Sequence, residues 1–365
     1  MLPRVLFVSK PIAPPFHDGT KCLVRDVARH LERTRAVVMS SRGAPALAAA
    51  VESVPVYSSS GRFAPGLGQN LRAALWLAAR SRADVWHFVF APNPRSSAIG
   101  RALSRARRVP VVQTVASPPR SFDKVGRLLF GDIVVAQSRW TEERIRDAGY
   151  RDRIEVVPPP LGDIAERDRE ARRALRARMR IPESAPIVVY PGDIETSGGA
   201  EAVARAVGPL TEAEPELVVV FAFRAKTPRA EVVAKELAGQ LDPARVRFES
   251  ELADVLVLIS ESSVVLFPVD DLWGKVDLPI VLLESMALGV PVVALDHGPL
   301  RDLDGTVRVP KGDDRALVAE TLALLRERDY RERVTAAQRE SIRRRHRAEV
   351  VARAYEDLYL ELCKR

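Results

Sequence analysis

A single carboxylate inside an apolar helix is the first feature of this sequence that could do chemistry. Residues 271–296 read DLWGKVDLPIVLLESMALGVPVVALD. A proline at the start and Gly289 after the end predict a helix over about 279–288. Within it every residue but Glu284 is apolar or small, so we expect a buried helix whose carboxylate needs partners. Glu284 could pair with an arginine or a backbone N–H, or it could accept hydrogen bonds from a ligand diol such as a ribose.

A second candidate site would bind anions. The segment PGDIETSGGAEAVARAV follows a buried strand, and Gly198 and Gly199 let a ligand approach the backbone at a helix N-terminus. Arg224 and Lys226 follow the next strand, and Lys275 precedes the apolar helix. Two or three cations suit a diphosphate; the alternative is that they are surface residues at strand ends.

The N-terminal part of the chain offers further polar residues beside strands. PRVLFVS predicts a buried strand, and the loop after it contains Asp18 and Gly19 and leads into a helix, which is how a mononucleotide-type fold begins. His87 lies at or near the end of the strand DVWHFVF, where ligands of open α/β sheets gather. It is either a hydrogen-bonded core residue or a functional one.

The elements that would position these residues alternate along the chain. Short apolar β runs alternate with helical segments, which predicts parallel sheets with helices on both faces. A length of 365 residues exceeds the usual single domain. A PPP run followed by charged helical sequence places a domain boundary near 165–184. We therefore predict an α/β protein of two domains.

The run LPIVLLESMALGVPVVALD resembles the donor-site signature of the retaining family 4 glycosyltransferases. Glu284 falls on the second acid of that signature, which holds the nucleotide ribose in the family. The resemblance implies two Rossmann-like domains that face each other across a cleft, the GT-B fold. Residues 1–165 would form the acceptor domain and 166–340 the nucleotide-sugar donor domain, with the C-terminal helix in 341–365 returning to pack on the first domain.

The resemblance also implies an activity. It predicts transfer of a sugar, with retention of configuration, from a UDP- or GDP-linked donor to a glycan, lipid-linked or small-molecule acceptor, with no metal and no separate cofactor. The catalytic residues would be Asp18, His87 and Lys226. The nucleotide-sugar would be bound by Glu284, Arg224, Lys226, Lys275, Asp277, Gly192, Gly198 and Gly19.

The sequence departs from the family pattern at four positions. Val276 stands where the first acid is expected, although Asp277 follows directly. Ala116 or Ser117 stands where the family has a histidine that contacts the donor sugar. Asp193 and Ser197 replace an arginine and a lysine that contact the diphosphate. These departures support a second hypothesis, a nucleotide-sugar-binding relative that has lost transfer.

Composition supports a third hypothesis, a basic adaptor for a membrane or another polyanion. The chain is 47% apolar and 28% charged, with a net charge of +8 and a pI near 9.7, which favours contact with an acidic surface. The arginines of segment 95–108, with the basic stretch 120–127, are either a solvated face or a patch for anionic lipid. The basic segment RESIRRRHR lacks a base-reading motif, so we predict no nucleic-acid partner.

The same composition bears on location. Cys22 and Cys363 show no metal or redox spacing, which fits a reducing compartment. The opening VLFV is too short for the apolar core of a targeting segment, and no apolar run approaches the roughly 20 residues that a membrane span needs. We expect a cytoplasmic protein, with peripheral contact at the inner membrane face as a further prediction.

Overall fold

The chain forms two compact units. The first unit comprises Met1–Gly162, Trp273–Ile280 and Arg344–Arg365, and the second comprises Asp163–Leu272 and Val281–Arg343. The computed structural model describes residues 2–16, 18–59, 65–119, 121–165, 167–223, 225, 227–250, 252, 254–272 and 275–364.

The first unit is built around a parallel sheet of seven strands in the order β3, β2, β1, β4, β5, β6, β7. The strands are β1 (Arg4–Val8), β2 (Arg35–Ser41), β3 (Glu52–Tyr57), β4 (Val85–Phe90), β5 (Val111–Val115), β6 (Ile133–Ala136) and β7 (Ile154–Val156). The helices are α1 (Gly19–Arg29), α2 (Leu67–Arg80), α3 (Pro94–Arg107), α4 (Val125–Leu128), α5 (Arg139–Asp147) and α13 (Ala348–Leu362).

The second unit repeats the plan with six parallel strands in the order β10, β9, β8, β11, β12, β13. The strands are β8 (Ile187–Tyr190), β9 (Val218–Phe223), β10 (Val246–Ser250), β11 (Val264–Phe267), β12 (Val292–Leu295) and β13 (Val307–Val309). The helices are α6 (Arg169–Met179), α7 (Gly199–Ala213), α8 (Arg229–Ala238), α9 (Val255–Glu261), α10 (Ile280–Leu288), α11 (Asp314–Arg326) and α12 (Arg328–Ser341).

The central strands are valine-rich and buried, as expected of parallel strands that are covered on both faces. One face of the first sheet is covered by α1 and α13, and the other is covered by α2 and α3. In α13 the side chains of Tyr355, Leu358, Tyr359 and Leu362 enter the core of the first unit. The C-terminal helix therefore returns to the N-terminal part of the chain, as the sequence predicted.

Two features of the fold differ from the sequence interpretation. The first is β3, a strand that the sequence analysis does not include. It tolerates Pro55 because it lies at the edge of the sheet, where a missing N–H is accommodated. The second is the segment Trp273–Ile280, which belongs to the first unit although residues on both sides of it belong to the second.

Candidate functional site

Each sheet contains one point where the strand order reverses. In the first unit this point lies between β1 and β4, and in the second it lies between β8 and β11. Loops that leave neighbouring strands in opposite directions separate there and open a crevice at the carboxyl ends of the strands, where ligands of open α/β sheets bind. The polar residues that follow these four strands are therefore the candidate site residues.

Asp18 lies in the loop after β1 and caps helix α1. Its Oδ1 accepts hydrogen bonds from the backbone N–H groups of Thr20 and Lys21, at 3.0 and 3.2 Å. Its Oδ2 lies 2.8 Å from Nζ of Lys10. Both carboxylate oxygens thus hold the loop in place, so Asp18 fixes the entrance of α1 at the reversal point of the first sheet.

Lys21 brings a second amine to the same loop. Its side chain is only 6% exposed, and its Nζ donates to the carbonyl of Ala13 at 3.1 Å. Burial lowers the pKa of this amine, and the charge of Asp18 acts in the opposite direction. The loop after β1 therefore carries two lysines and one carboxylate at a helix N-terminus.

Gly19 touches the segment that precedes helix α10. A Cβ built on Gly19 would lie 2.5 Å from Cγ1 of Val276, so only a glycine fits beside this valine. Val276 is the position at which the family resemblance predicts an acid. The first unit thus brings together two separate parts of the predicted site, the loop after β1 and the segment 275–280.

Asp277 is fully buried, and its Oδ2 accepts a hydrogen bond of 2.8 Å from the hydroxyl of Ser138, the N-cap of α5. A carboxylate at 0% exposure does not face a ligand. The prediction that Asp277 replaces the missing acid in contact with the donor is therefore corrected. Asp277 anchors the segment on which Val276 and the half-exposed Lys275 lie.

His87 also requires a correction. It lies inside β4, is fully buried, and makes hydrogen bonds of 2.7 Å through both ring nitrogens, to Oγ1 of Thr114 and to the hydroxyl of Tyr359. Burial lowers its pKa to about 3, so the ring is neutral. Of the two alternatives for His87, the structure supports the hydrogen-bonded core residue, and we do not retain it as a catalytic residue.

Helix α10 spans the predicted range and ends as predicted, because Gly289 adopts a left-handed conformation with φ of +77°. The helix is less buried than its composition suggests, since Leu282, Leu283, Ser285 and Met286 are buried and the others are partly exposed. Glu284 is one of the half-buried residues. The residue is therefore partly accessible to solvent, which a ligand-binding role requires.

At the reversal point of the second sheet, an internal carboxylate occupies the predicted anion site. Gly198, the N-cap of α7, donates its backbone N–H to Oδ1 of Asp270 at 3.1 Å, and Asp270 follows β11. Lys311, which follows β13, lies 3.0 Å from Oδ2 of the same residue. Partial burial alone would raise the pKa of Asp270, but the hydrogen bonds from Lys311 and Gly198 outweigh it and lower the pKa.

The loop between β8 and α7 is shaped by Tyr190. A Cβ on Gly192 would lie 2.2 Å from Cζ of this tyrosine, so the ring requires a glycine there. The tyrosine hydroxyl donates to the carbonyl of Asp193 at 2.7 Å. The carboxylate of Asp193 accepts from the N–H and the hydroxyl of Thr196, at 3.0 and 2.7 Å. Asp193 therefore closes a turn at the position where the family has an arginine.

Two of the predicted cations, Arg224 and Lys226, lie outside the described residues. Sequence reasoning missed Ser138 in the first unit, which holds Asp277, and Asp270 and Lys311 in the second, which pair beside the N-terminus of α7. Each lies two or three residues after the end of a strand, so polar residues just past strand ends are the signal that could have found them.

Among the described residues, no group of three or more His, Cys, Asp or Glu side chains is placed to hold a metal ion. In the same residues, no helix has the length and apolarity that crossing a bilayer demands.

Two models of glycosyltransferase families match the chain. One, described as Glycosyltransferase Family 4, matches residues 18–161, and the other, described as Glycosyl transferases group 1, matches residues 185–327. The two matches divide between the two halves of the chain and together span most of it.

Individual proteins are similar in sequence or in structure. The chain is 30% identical over 251 residues to a D-inositol 3-phosphate glycosyltransferase of Xylanimonas cellulosilytica, which is 64% of this chain and 58% of the relative. It is 49% identical over 69 residues, 18% of either protein, to a phosphatidyl-myo-inositol mannosyltransferase of Mycobacterium leprae. It thus spans less than two thirds of these relatives. The solved structure of HepE from Anabaena, in complex with UDP and glucose, has a TM-score of 0.72 at 15% identity and covers 98% of this chain and 100% of its own.

Proposed function

The chain belongs to the family 4 glycosyltransferases, and from that premise we propose that it transfers a sugar from a nucleotide-linked donor to an acceptor with retention of configuration. The observation that carries the proposal is helix α10. It combines the family's donor-site residues with a half-buried carboxylate, Glu284, on an otherwise apolar helix. We assign this partly accessible acid to ligand binding because it falls on the second acid of the family's donor-site signature.

Glu284 would accept hydrogen bonds from the hydroxyl groups of the nucleotide ribose. The diphosphate would be neutralised by Lys275, Arg224 and Lys226, which stabilise the charge that develops on the leaving group. Asp18 would act through the loop after β1, where its carboxylate fixes the position of Lys10 and the start of α1. His87 has no part in this scheme.

The similar proteins indicate which donors and acceptors to test first. HepE was solved with UDP and glucose, which supports UDP-sugars as donors. The two curated relatives are named for inositol phosphate and phosphatidylinositol, which supports an inositol ring as acceptor. A glycan or another lipid-linked acceptor is the wider class.

Thermal unfolding with UDP, GDP, ADP, TDP and their sugars tests the donor site. A ligand at about 100 times its dissociation constant stabilises the folded state by roughly 2.7 kcal/mol, which is a clear shift in Tm. We expect one nucleotide to shift the wild type and not Glu284→Gln. The matched control is Glu236→Gln, an exposed glutamate on α8, which should respond as the wild type does.

Turnover then separates the hypotheses. Incubation with the stabilising nucleotide-sugar and inositol 3-phosphate or phosphatidylinositol, followed by NMR of the first product, reports transfer and anomeric configuration. An inverted product would contradict retention. Nucleotide binding without transfer to any acceptor would favour the relative that has lost transfer. No shift with any nucleotide at millimolar concentration would overturn the donor-site assignment of Glu284 and favour the basic adaptor.

A further inference from the structure

Four large apolar side chains project into solvent from neighbouring helices of the first unit. Leu67, Leu71 and Leu75 of α2 are 85%, 62% and 62% exposed, and Ile99 of α3 is 53% exposed. They are four of the seven exposed large hydrophobic residues in the described part of the chain. The three leucines are spaced by four residues and therefore form one stripe along α2.

Helix α3 buries small residues and exposes a large apolar one, which is the opposite of the usual arrangement. It buries Ser97, Gly100 and Ser104 and exposes Ile99. The reason is close packing, since a Cβ on Gly100 would lie 2.5 Å from Cζ of Phe130. An apolar residue is thus left in water on a helix whose buried face is made of small residues.

Both helices present their outer faces in the same direction. The buried side chains of α2 and the partly buried Leu103 of α3 pack into one core on the same face of the sheet. The two helices also pack against each other. The leucine stripe and Ile99 therefore belong to one continuous surface, which we call the α2–α3 surface.

The charge on the α2–α3 surface is positive and uncompensated. Residues 67–108 contain eight arginines and one acidic residue, Asp84. Arg72, Arg95 and Arg105 are exposed, and no carboxylate of the described residues lies within salt-bridge distance of them. Elsewhere arginines are commonly paired, as Arg176 is with Glu261.

We propose that the α2–α3 surface docks on an anionic lipid bilayer. Exposed leucines beside unpaired arginines match the boundary between lipid head groups and acyl chains, where the apolar side chains enter and the guanidinium groups pair with phosphates. A protein partner would bury the same leucines, but it would have to supply several carboxylates to match the arginines. The surface begins at the N-termini of α2 and α3, at the same edge of the sheet as the loop after β1.

Vesicle sedimentation of the full chain tests the proposal without donor or acceptor, so its outcome is independent of sugar transfer. The vesicles are pure phosphatidylcholine, or phosphatidylcholine mixed with an equal amount of phosphatidylglycerol. We expect binding to the mixed vesicles only. Leu71→Gln with Leu75→Gln should weaken binding about tenfold, and so should Arg72→Gln with Arg95→Gln. These residues are exposed, so the variants should keep the wild-type Tm.

The matched control is Val232→Gln on α8, because Val232 is 53% exposed in the other unit. It should bind vesicles as the wild type does. Absence of wild-type binding to anionic vesicles would overturn the proposal, as would binding that the leucine variants leave unchanged. Concentration-dependent dimers that Leu71→Gln with Leu75→Gln disperses would instead assign the surface to a second copy of the chain.

Discussion

Nδ1 of His87 and the hydroxyl of Tyr359 lie 2.7 Å apart although 272 residues separate them in the chain. Thr114 completes the cluster, since its hydroxyl contacts Nε2 of the histidine at 2.7 Å and the hydroxyl of Tyr355 at 3.0 Å. A neutral imidazole has one donor and one acceptor nitrogen, and these partners satisfy both. The cluster joins strands β4 and β5 to the C-terminal helix.

The first prediction is a loss of stability in mild acid. Burial lowers the pKa of His87 from 6.5 to about 3, so between these values the unfolded chain binds a proton that the folded chain does not. The contribution of neutral His87 to the free energy of unfolding is complete above pH 6.5 and is lost as the pH falls toward 3. It amounts to about 2 kcal/mol between pH 7 and pH 5.

Urea unfolding at pH 7 and pH 5 measures this effect in wild type and in His87→Gln, whose side chain does not titrate. The variant should be less stable at pH 7 and should lose about 2 kcal/mol less than the wild type on acidification. Equal losses in the two proteins would show that the imidazole gains its proton in the folded state.

The second prediction concerns another attachment of the C-terminal helix. Oε1 of the buried Glu356 accepts hydrogen bonds from the N–H groups of Glu32, Arg33 and Thr34, at 2.9, 2.6 and 2.9 Å. Glu356→Gln keeps the shape but removes the charge from these bonds, so we expect a loss of about 2 kcal/mol in the free energy of unfolding. Chemical denaturation measures it.

Its control is the next residue, Asp357, whose side chain is 65% exposed and pairs with Arg33 at the surface. Asp357→Asn should cost less than about 1 kcal/mol. Equal losses in the two variants would mean that the three hydrogen bonds to Oε1 of Glu356 stabilise the fold no more than the surface ion pair of Asp357 does.

Local sequence patterns predicted a helix or strand correctly where the spacing of its apolar residues and its terminal signals match the observed element. Helix α10 shows this, because a proline before it and Gly289 after it set its ends, which the structure places at Ile280–Leu288. The valine-rich strands are a similar case, since a parallel strand that is covered on both faces must be apolar throughout.

Contacts between distant residues could not be predicted in the same way. The exposure of Ile99 depends on Phe130, which approaches Gly100 from outside the helix. The burial of Asp277 depends on Ser138, and the occupation of the anion site at Gly198 depends on Asp270. No local period of the sequence encodes these pairs, and they determine which of the candidate residues can reach a ligand.

The third prediction tests the contact between Gly19 and Val276. The Cβ of Gly19→Ala would lie 2.5 Å from Cγ1 of a β-branched side chain that cannot bend away, so overpacking should cost about 1–3 kcal/mol. Gly19→Ala with Val276→Ala should recover most of that loss. The measurement is a double-mutant cycle of unfolding free energies.

Gly126→Ala serves as the reference for this cycle, because a Cβ there would meet no heavy atom within 4 Å. It should leave the stability unchanged or slightly higher. If the effects of Gly19→Ala and Val276→Ala simply add, the segment 275–280 does not rest on α1 in solution.

The fourth prediction concerns the N-terminus of α7. The carboxylate of Asp270 accepts the N–H of Gly198 at 3.1 Å, so it stands where a diphosphate would receive the same hydrogen bond and the partial charge of the helix. Asp270→Asn removes a like charge from that place. We expect it to tighten the binding of a nucleoside diphosphate about tenfold and to leave the binding of the nucleoside unchanged.

Isothermal titration with both ligands measures this fourth prediction. The control is Asp271→Asn, at the next and exposed position. Weaker diphosphate binding in Asp270→Asn would mean that the carboxylate serves the donor site by holding Lys311, which lies 3.0 Å from it, in position for the phosphates.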